Sequence, residues 1–124
     1  MARPDARTAI LRIVIAATRV EEMATFYGAA LGWRFEPTPA YGTTLYRAEQ
    51  GGLSITLCPN SVAGVVAEQS RHQVTFGVAD VAAALARIVD AGHTAGEPEH
   101  DARGAVRAQL VDPDGNTVEL AETR

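Results

Sequence analysis

In a chain of 124 residues, Arg12, Thr56, Gln73, Thr75 and Glu119 are the side chains whose positions point most directly to chemistry. Each falls on the polar side of an apolar run that alternates with period two. Leu11, Ile13 and Ile15 oppose Arg12, and Leu53, Ile55 and Leu57 oppose Thr56. Val74, Phe76 and Val78 oppose Gln73 and Thr75, while Val118 and Leu120 oppose Glu119. A mixed polar set on one side of a sheet is either washed by water or lines a pocket, where a few polar groups orient a small molecule. Arginine offers a planar fork of donors for a carboxylate or phenolate, and Glu119 is the candidate acid or base. Trp33, Phe35, Tyr41 and Tyr46 supply aromatic surface, for stacking on a ligand or for packing in the core. Of these, Trp33, Tyr41 and Tyr46 join the candidate ligand-binding set.

Composition removes other chemistries. All 11 basic residues are arginine, so lysine Schiff-base and lysine general-base mechanisms are unavailable to this chain. A single cysteine, Cys58, supplies neither an internal disulfide nor a redox pair nor a cysteine-rich zinc site. A reducing, cytoplasmic setting is the simplest expectation. The net charge of −4 gives no electrostatic footing for nucleic acid or an anionic membrane. That charge favours a neutral or cationic ligand, although Arg12, Arg47 and Arg107 can reverse the balance locally. The apolar run over residues 9–17 carries Arg12 at its centre and is too short to span a bilayer, and no secretory leader is visible.

The elements that must position these residues follow from periodicity and turn chemistry. Residues 1–8 are a polar lead-in. A strand over 9–17 precedes a helix with Thr18 as its cap and Glu21 completing a capping box. Val20, Ala24, Tyr27 and Leu31 form the apolar face of that helix, and Gly32 stops it. Strand-like runs follow at 33–36, 43–49 and 53–58, separated by Pro37, Pro39 and paired glycines. The order then repeats: a strand over 73–78, Asp80 capping a helix over 81–91, Gly92 as its stop, and strands near 94–96, 105–111 and 117–121. The Asp112-Pro113-Asp114-Gly115 run between the last two is a turn. The reading is an α+β fold of two βαβββ modules, residues 9–59 and 72–122, in one domain over 9–122 with a linker at 60–71. A module of this size buries little surface alone, so the two pack together or against those of a second copy.

Thr18-Arg19-Val20-Glu21 leading into Phe26-Tyr27 and Leu31-Gly32-Trp33, then Val78-Ala79-Asp80-Val81, then Asp112-Pro113-Asp114-Gly115-Asn116 with Val118-Glu119-Leu120 carry a resemblance. The chain resembles the vicinal oxygen chelate superfamily, which contains glyoxalase I, extradiol dioxygenases and bleomycin-type resistance proteins. The resemblance implies paired modules whose mixed sheets curl around a cavity, in a homodimer. Metal-dependent members hold a divalent ion through four strand positions, which fall here on Arg12, Thr56, Gln73 and Glu119. Arginine has no acceptor atom, so the expected metal site is absent and no cofactor is implied. An Arg12–Glu119 charge pair at the cavity floor takes its place. His72 lies one residue out of register with the inward set, and His93 and His100 fall in or beside turns. Three functions remain open: a metal-independent small-molecule-binding protein, a metal-dependent lyase, isomerase or dioxygenase, and a metal-free enzyme using Glu119 as base with Arg12 stabilising an enolate.

Overall fold

The computed structural model describes residues 10–64 and 72–123. The expected lead-in, residue 9 of the first strand and most of the 60–71 linker lie outside them. Strand β1 (Arg12–Ala17) leads into helix α1 (Val20–Leu31), then strands β2 (Glu36–Ala40), β3 (Thr43–Gln50) and β4 (Leu53–Pro59). A one-turn helix α2 (Asn60–Ala63) occupies the start of the expected linker. Strand β5 (Val74–Val78), helix α3 (Val81–Asp90) and strands β6 (Glu99–His100), β7 (Val106–Val111) and β8 (Thr117–Glu122) repeat the pattern. The result is two four-stranded mixed sheets, ordered β1-β4-β3-β2 and β5-β8-β7-β6, with the first strand of each unit parallel to its last.

Alternation decides which face of each sheet is buried. Ile55 and Leu57 of β4 and Val118 and Leu120 of β8 join one apolar cluster with Phe76, Val78 and the helices. Helix α3 contributes Val81, Ala84, Leu85 and Ile88, spaced for a single stripe. Helix α1 buries Met23, Ala24, Phe26, Tyr27 and Ala30, so its core stripe lies to one side of the expected one: Val20 and Leu31 are half-buried at its rim. The two halves meet chiefly through α1 against α3. The Arg87 guanidinium of α3 donates to the Ala29 carbonyl at 2.9 Å, and the Thr25 hydroxyl meets His93 Nε2 at the same distance.

Helix termini follow two different solutions. Asp80 caps α3 as expected, its carboxylate accepting from the Ala83 amide at 3.0 Å. Asp80→Ala is expected to cost about 1 kcal/mol, read as a lower melting temperature, with Asp80→Asn near the parent. The expected Thr18 cap on α1 does not form. Arg19 stands at the cap position without a side-chain bond, and the Thr18 and Arg19 amides donate to the Asp114 carboxylate at 2.7 and 3.1 Å. A carboxylate brought by the β7–β8 turn therefore holds the chain entering α1 at the cap residue and the one before it. Gly32 ends α1 in the left-handed region, at φ 69°, as its position required.

Two strands differ from expectation. The second lies at Glu36–Ala40 rather than 33–36 and contains Pro37 and Pro39. Proline is excluded from the middle of a sheet but tolerated at an edge, and β2 is an edge strand. The sixth is the two-residue pair Glu99–His100, not 94–96.

Candidate functional site

The face of the first sheet turned away from α1 carries a groove of about 850 Å³. Arg12 and Val14 of β1, Thr38 and Ala40 of β2, Leu45 and Arg47 of β3, and Thr56 and Cys58 of β4 line it. Helix α2 closes one end with Ser61, Val62 and Ala63. Asn60 anchors that helix, its amide donating to the Thr18 hydroxyl at 3.3 Å.

Pairing fixes the layout of this floor. Thr56 of the central strand stands opposite Val14 on one side and Arg47 on the other, and Arg12 stands opposite Ser54. Arg12 Nε donates to Ser54 Oγ at 3.4 Å. Two arginines and two hydroxyls thus occupy one end of the groove, and Cys58, Leu45 and the apolar residues of α2 the other. Burial pushes the Cys58 thiol up from its ordinary pKa, so it stays protonated and is no nucleophile.

Tyr41 stands at the groove mouth. With Gly42 it forms the tip of the β2–β3 hairpin, both residues having positive φ, 53° and 73°. That turn suits glycine or asparagine, and a bulky side chain there carries strain of roughly 1 kcal/mol. Its ring is 82% exposed, so core packing does not account for its placement.

The other expected contacts are elsewhere. Tyr46 has the opposite parity to Leu45 and Arg47 and packs against the apolar cluster. Trp33 also packs there, and lines a separate groove with Phe76, Asp80 and Arg87. Neither meets the first-sheet groove: Tyr46 takes the core-facing parity of β3, and Trp33 lies before β2 rather than in a strand. Gln73, Thr75 and Glu119 lie on the outward face of the second sheet. Gln73 donates to the Thr117 hydroxyl at 3.2 Å, and the Thr75 hydroxyl donates to Glu119 Oε1 at 3.0 Å.

The expected Arg12–Glu119 pair is not formed within the chain. Arg12 bonds Ser54 and Glu119 bonds Thr75, on different sheets whose halves meet helix to helix. Arg47, Leu45 and α2 line the site beyond the residues expected from sequence, and Ser54 joins it as the partner of Arg12. Arg47 was legible in principle, since it shares the face of Thr56 once β3 and β4 are paired.

The four superfamily ligand positions do not fit a divalent cation. Arg12 has donors only, Thr56 is buried, and the Gln73 and Glu119 side chains are hydrogen-bonded on the other sheet. Among the described residues, no three His, Cys, Asp or Glu side chains gather as a metal site.

The description "Glyoxalase-like domain" matches residues 12–121. The chain belongs to this glyoxalase-like family, within the vicinal oxygen chelate superfamily. Solved relatives share its fold. A glyoxalase-related enzyme from Fulvimarina pelagi superposes with TM-score 0.70 at 22% identity, over 94% of this chain and 88% of that one. A glyoxalase/bleomycin resistance protein from Catenulispora acidiphila gives 0.67 at 23%, over 94% and 100%. An antibiotic binding protein from a Streptomyces species gives 0.66 at 18%, over 97% and 99%. No curated protein matches the chain. Among the described residues of this glyoxalase-like chain, no helix is long and apolar enough to cross a membrane.

Proposed function

We propose that this glyoxalase-like protein is a metal-independent binder of small molecules, of the bleomycin-resistance type, acting as a cytoplasmic homodimer. The observation that carries the reading is the first-sheet groove with Arg12 in its lining. A fixed guanidinium stands at a position where metal-dependent relatives place a ligand to the ion. The groove has the size and mixed lining of a small-molecule site, with apolar walls and a few orienting groups. The antibiotic-binding relative supports the same reading by fold.

Three features support a dimer. The outward faces of both sheets, Arg12 and Thr56 on one and Thr75 and Glu119 on the other, are left uncovered by the helices of the same chain and suit cover by a second copy. Strands β1 and β5 each form one edge of their sheet. Val14 in the groove lining is 52% exposed, and Ile10 and Leu11 just before β1 are both 72% exposed, an apolar strip suited to cover.

A melting screen of the purified protein against aromatic metabolites and divalent metals tests the proposal. Saturable stabilisation by an aromatic compound is expected, reaching about 2.7 kcal/mol at a hundredfold excess over Kd. Stoichiometric zinc, nickel, manganese or iron in the purified protein would sink metal independence. Sedimentation should give twice the chain mass, and Arg12→Met should weaken the ligand. Unchanged affinity with altered melting would remove Arg12 from binding.

A further inference from the structure

We infer that the first-sheet groove takes a monoanion with an apolar body, its carboxylate or equivalent oxyanion held between Arg12 and Arg47. The inference rests on the binding reading above and names the class of ligand. Its basis is an asymmetry of charge. Two guanidinium groups line the groove and no aspartate or glutamate does, in a chain whose net charge is −4.

Among the described residues, neither Arg12 nor Arg47 has a carboxylate within ion-pair distance. The acid nearest in register is Glu36, opposite Arg47 on β2, but its Oε1 is taken by Arg34 Nε at 2.7 Å. Arg12 has only a long bond to Ser54 Oγ, which leaves most of its donors unused.

The register places the two guanidinium groups on either side of β4 at one end of the groove. Arg47 is level with Thr56, and Arg12 is level with Ser54, two residues away on the same face. Two forks flanking the strand that carries the Ser54 and Thr56 hydroxyls suit a planar oxyanion, which needs several donors to replace its water. The opposite end, formed by Cys58, Leu45, Ser61, Val62 and Ala63, offers one hydroxyl and no charged group to a second charge. An apolar or aromatic body lies along it, under the exposed ring of Tyr41. A zwitterion or dianion would strand a charge there, and a cation would meet two arginines.

Calorimetric titration with 2-naphthoate and 2-naphthamide tests this, since the two share a ring body and differ in charge. Naphthoate is expected to bind at least about tenfold more tightly than the amide. Arg12→Met and Arg47→Met should each weaken naphthoate by about tenfold while leaving the amide within about twofold, and Arg47→Lys should restore part of the loss. Both side chains are exposed, so the variants should keep the parent's circular dichroism. Equal binding of acid and amide, abolished by Ala63→Trp, would overturn the anion inference and leave the groove a site for neutral molecules. Binding of neither compound at millimolar concentration would overturn the inference together with the functional reading beneath it.

Discussion

Replacing Asp112 with alanine is expected to remove about 3–5 kcal/mol of stability, the largest effect of any single polar substitution in this chain. The Asp112 carboxylate is 4% exposed and accepts four hydrogen bonds. Oδ2 takes the Tyr27 hydroxyl at 2.7 Å and the Asn116 amide at 3.0 Å, while Oδ1 takes the Asp114 and Asn116 backbone amides at 3.0 and 2.9 Å. Alanine would leave these donors buried without acceptors, at about 1–3 kcal/mol for each that water cannot reach. The damage would also spread. The same turn carries Asp114, which holds the Thr18 and Arg19 amides at the entry to α1, so the network ties the β7–β8 turn to the helix of the other half. Urea unfolding of Asp112→Ala and Asp112→Asn checks this, with asparagine retaining part of the acceptor set and losing less. An alanine variant within about 1 kcal/mol of the parent would show that water or a rearranged turn replaces the carboxylate.

Above pH 10 the protein is expected to lose stability at about 1.4 kcal/mol per pH unit through Tyr27 alone. Burial first, and then the neighbouring Asp112 carboxylate, hold the Tyr27 phenol protonated far beyond its ordinary value of 10.0. The sign follows from proton counting. Once pH exceeds 10.0, the unfolded chain releases this proton while the folded chain keeps it. The unfolded state then binds fewer protons, and the unfolding free energy falls as pH rises. Below pH 10.0 both states hold the proton and the contribution is flat. Tyr27→Phe should be less stable at neutral pH, because Asp112 loses a donor, yet should lack this alkaline limb. A phenylalanine variant whose stability falls as steeply as the parent's would assign the limb to another group.

Much of this architecture is legible in the residues themselves. Strict alternation in the runs around Arg12, Thr56, Gln73 and Glu119 sorts each strand's faces correctly, because a period of two leaves no third orientation. The repeated strand–helix order, the Asp80 cap and the Gly32 stop are local signals, and each is realised. What escapes is whatever depends on distant partners. The acceptor for the Thr18 and Arg19 amides at the entry to α1 comes from Asp114, almost a hundred residues away in sequence, which no local signal states. The edge position that admits Pro37 and Pro39 is a property of the assembled sheet. The Arg12–Glu119 pair rests on superfamily positions alone, and nothing in a linear chain states whether those strands converge within one copy.

The two prolines of β2 have a consequence for how copies of this protein can join. Pro37 and Pro39 lie opposite Tyr46 and Thr44 in the ladder, so the amide bonds of β2 to β3 fall to the residues between them. The prolines occupy the positions whose N–H groups would otherwise point outward, and they have none. That flank of the sheet offers carbonyls without donors, so an incoming strand finds no complementary row to zip onto. The first sheet is therefore open to extension at β1 alone. Its growth is one-sided, which permits a closed pair and blocks an endless ribbon.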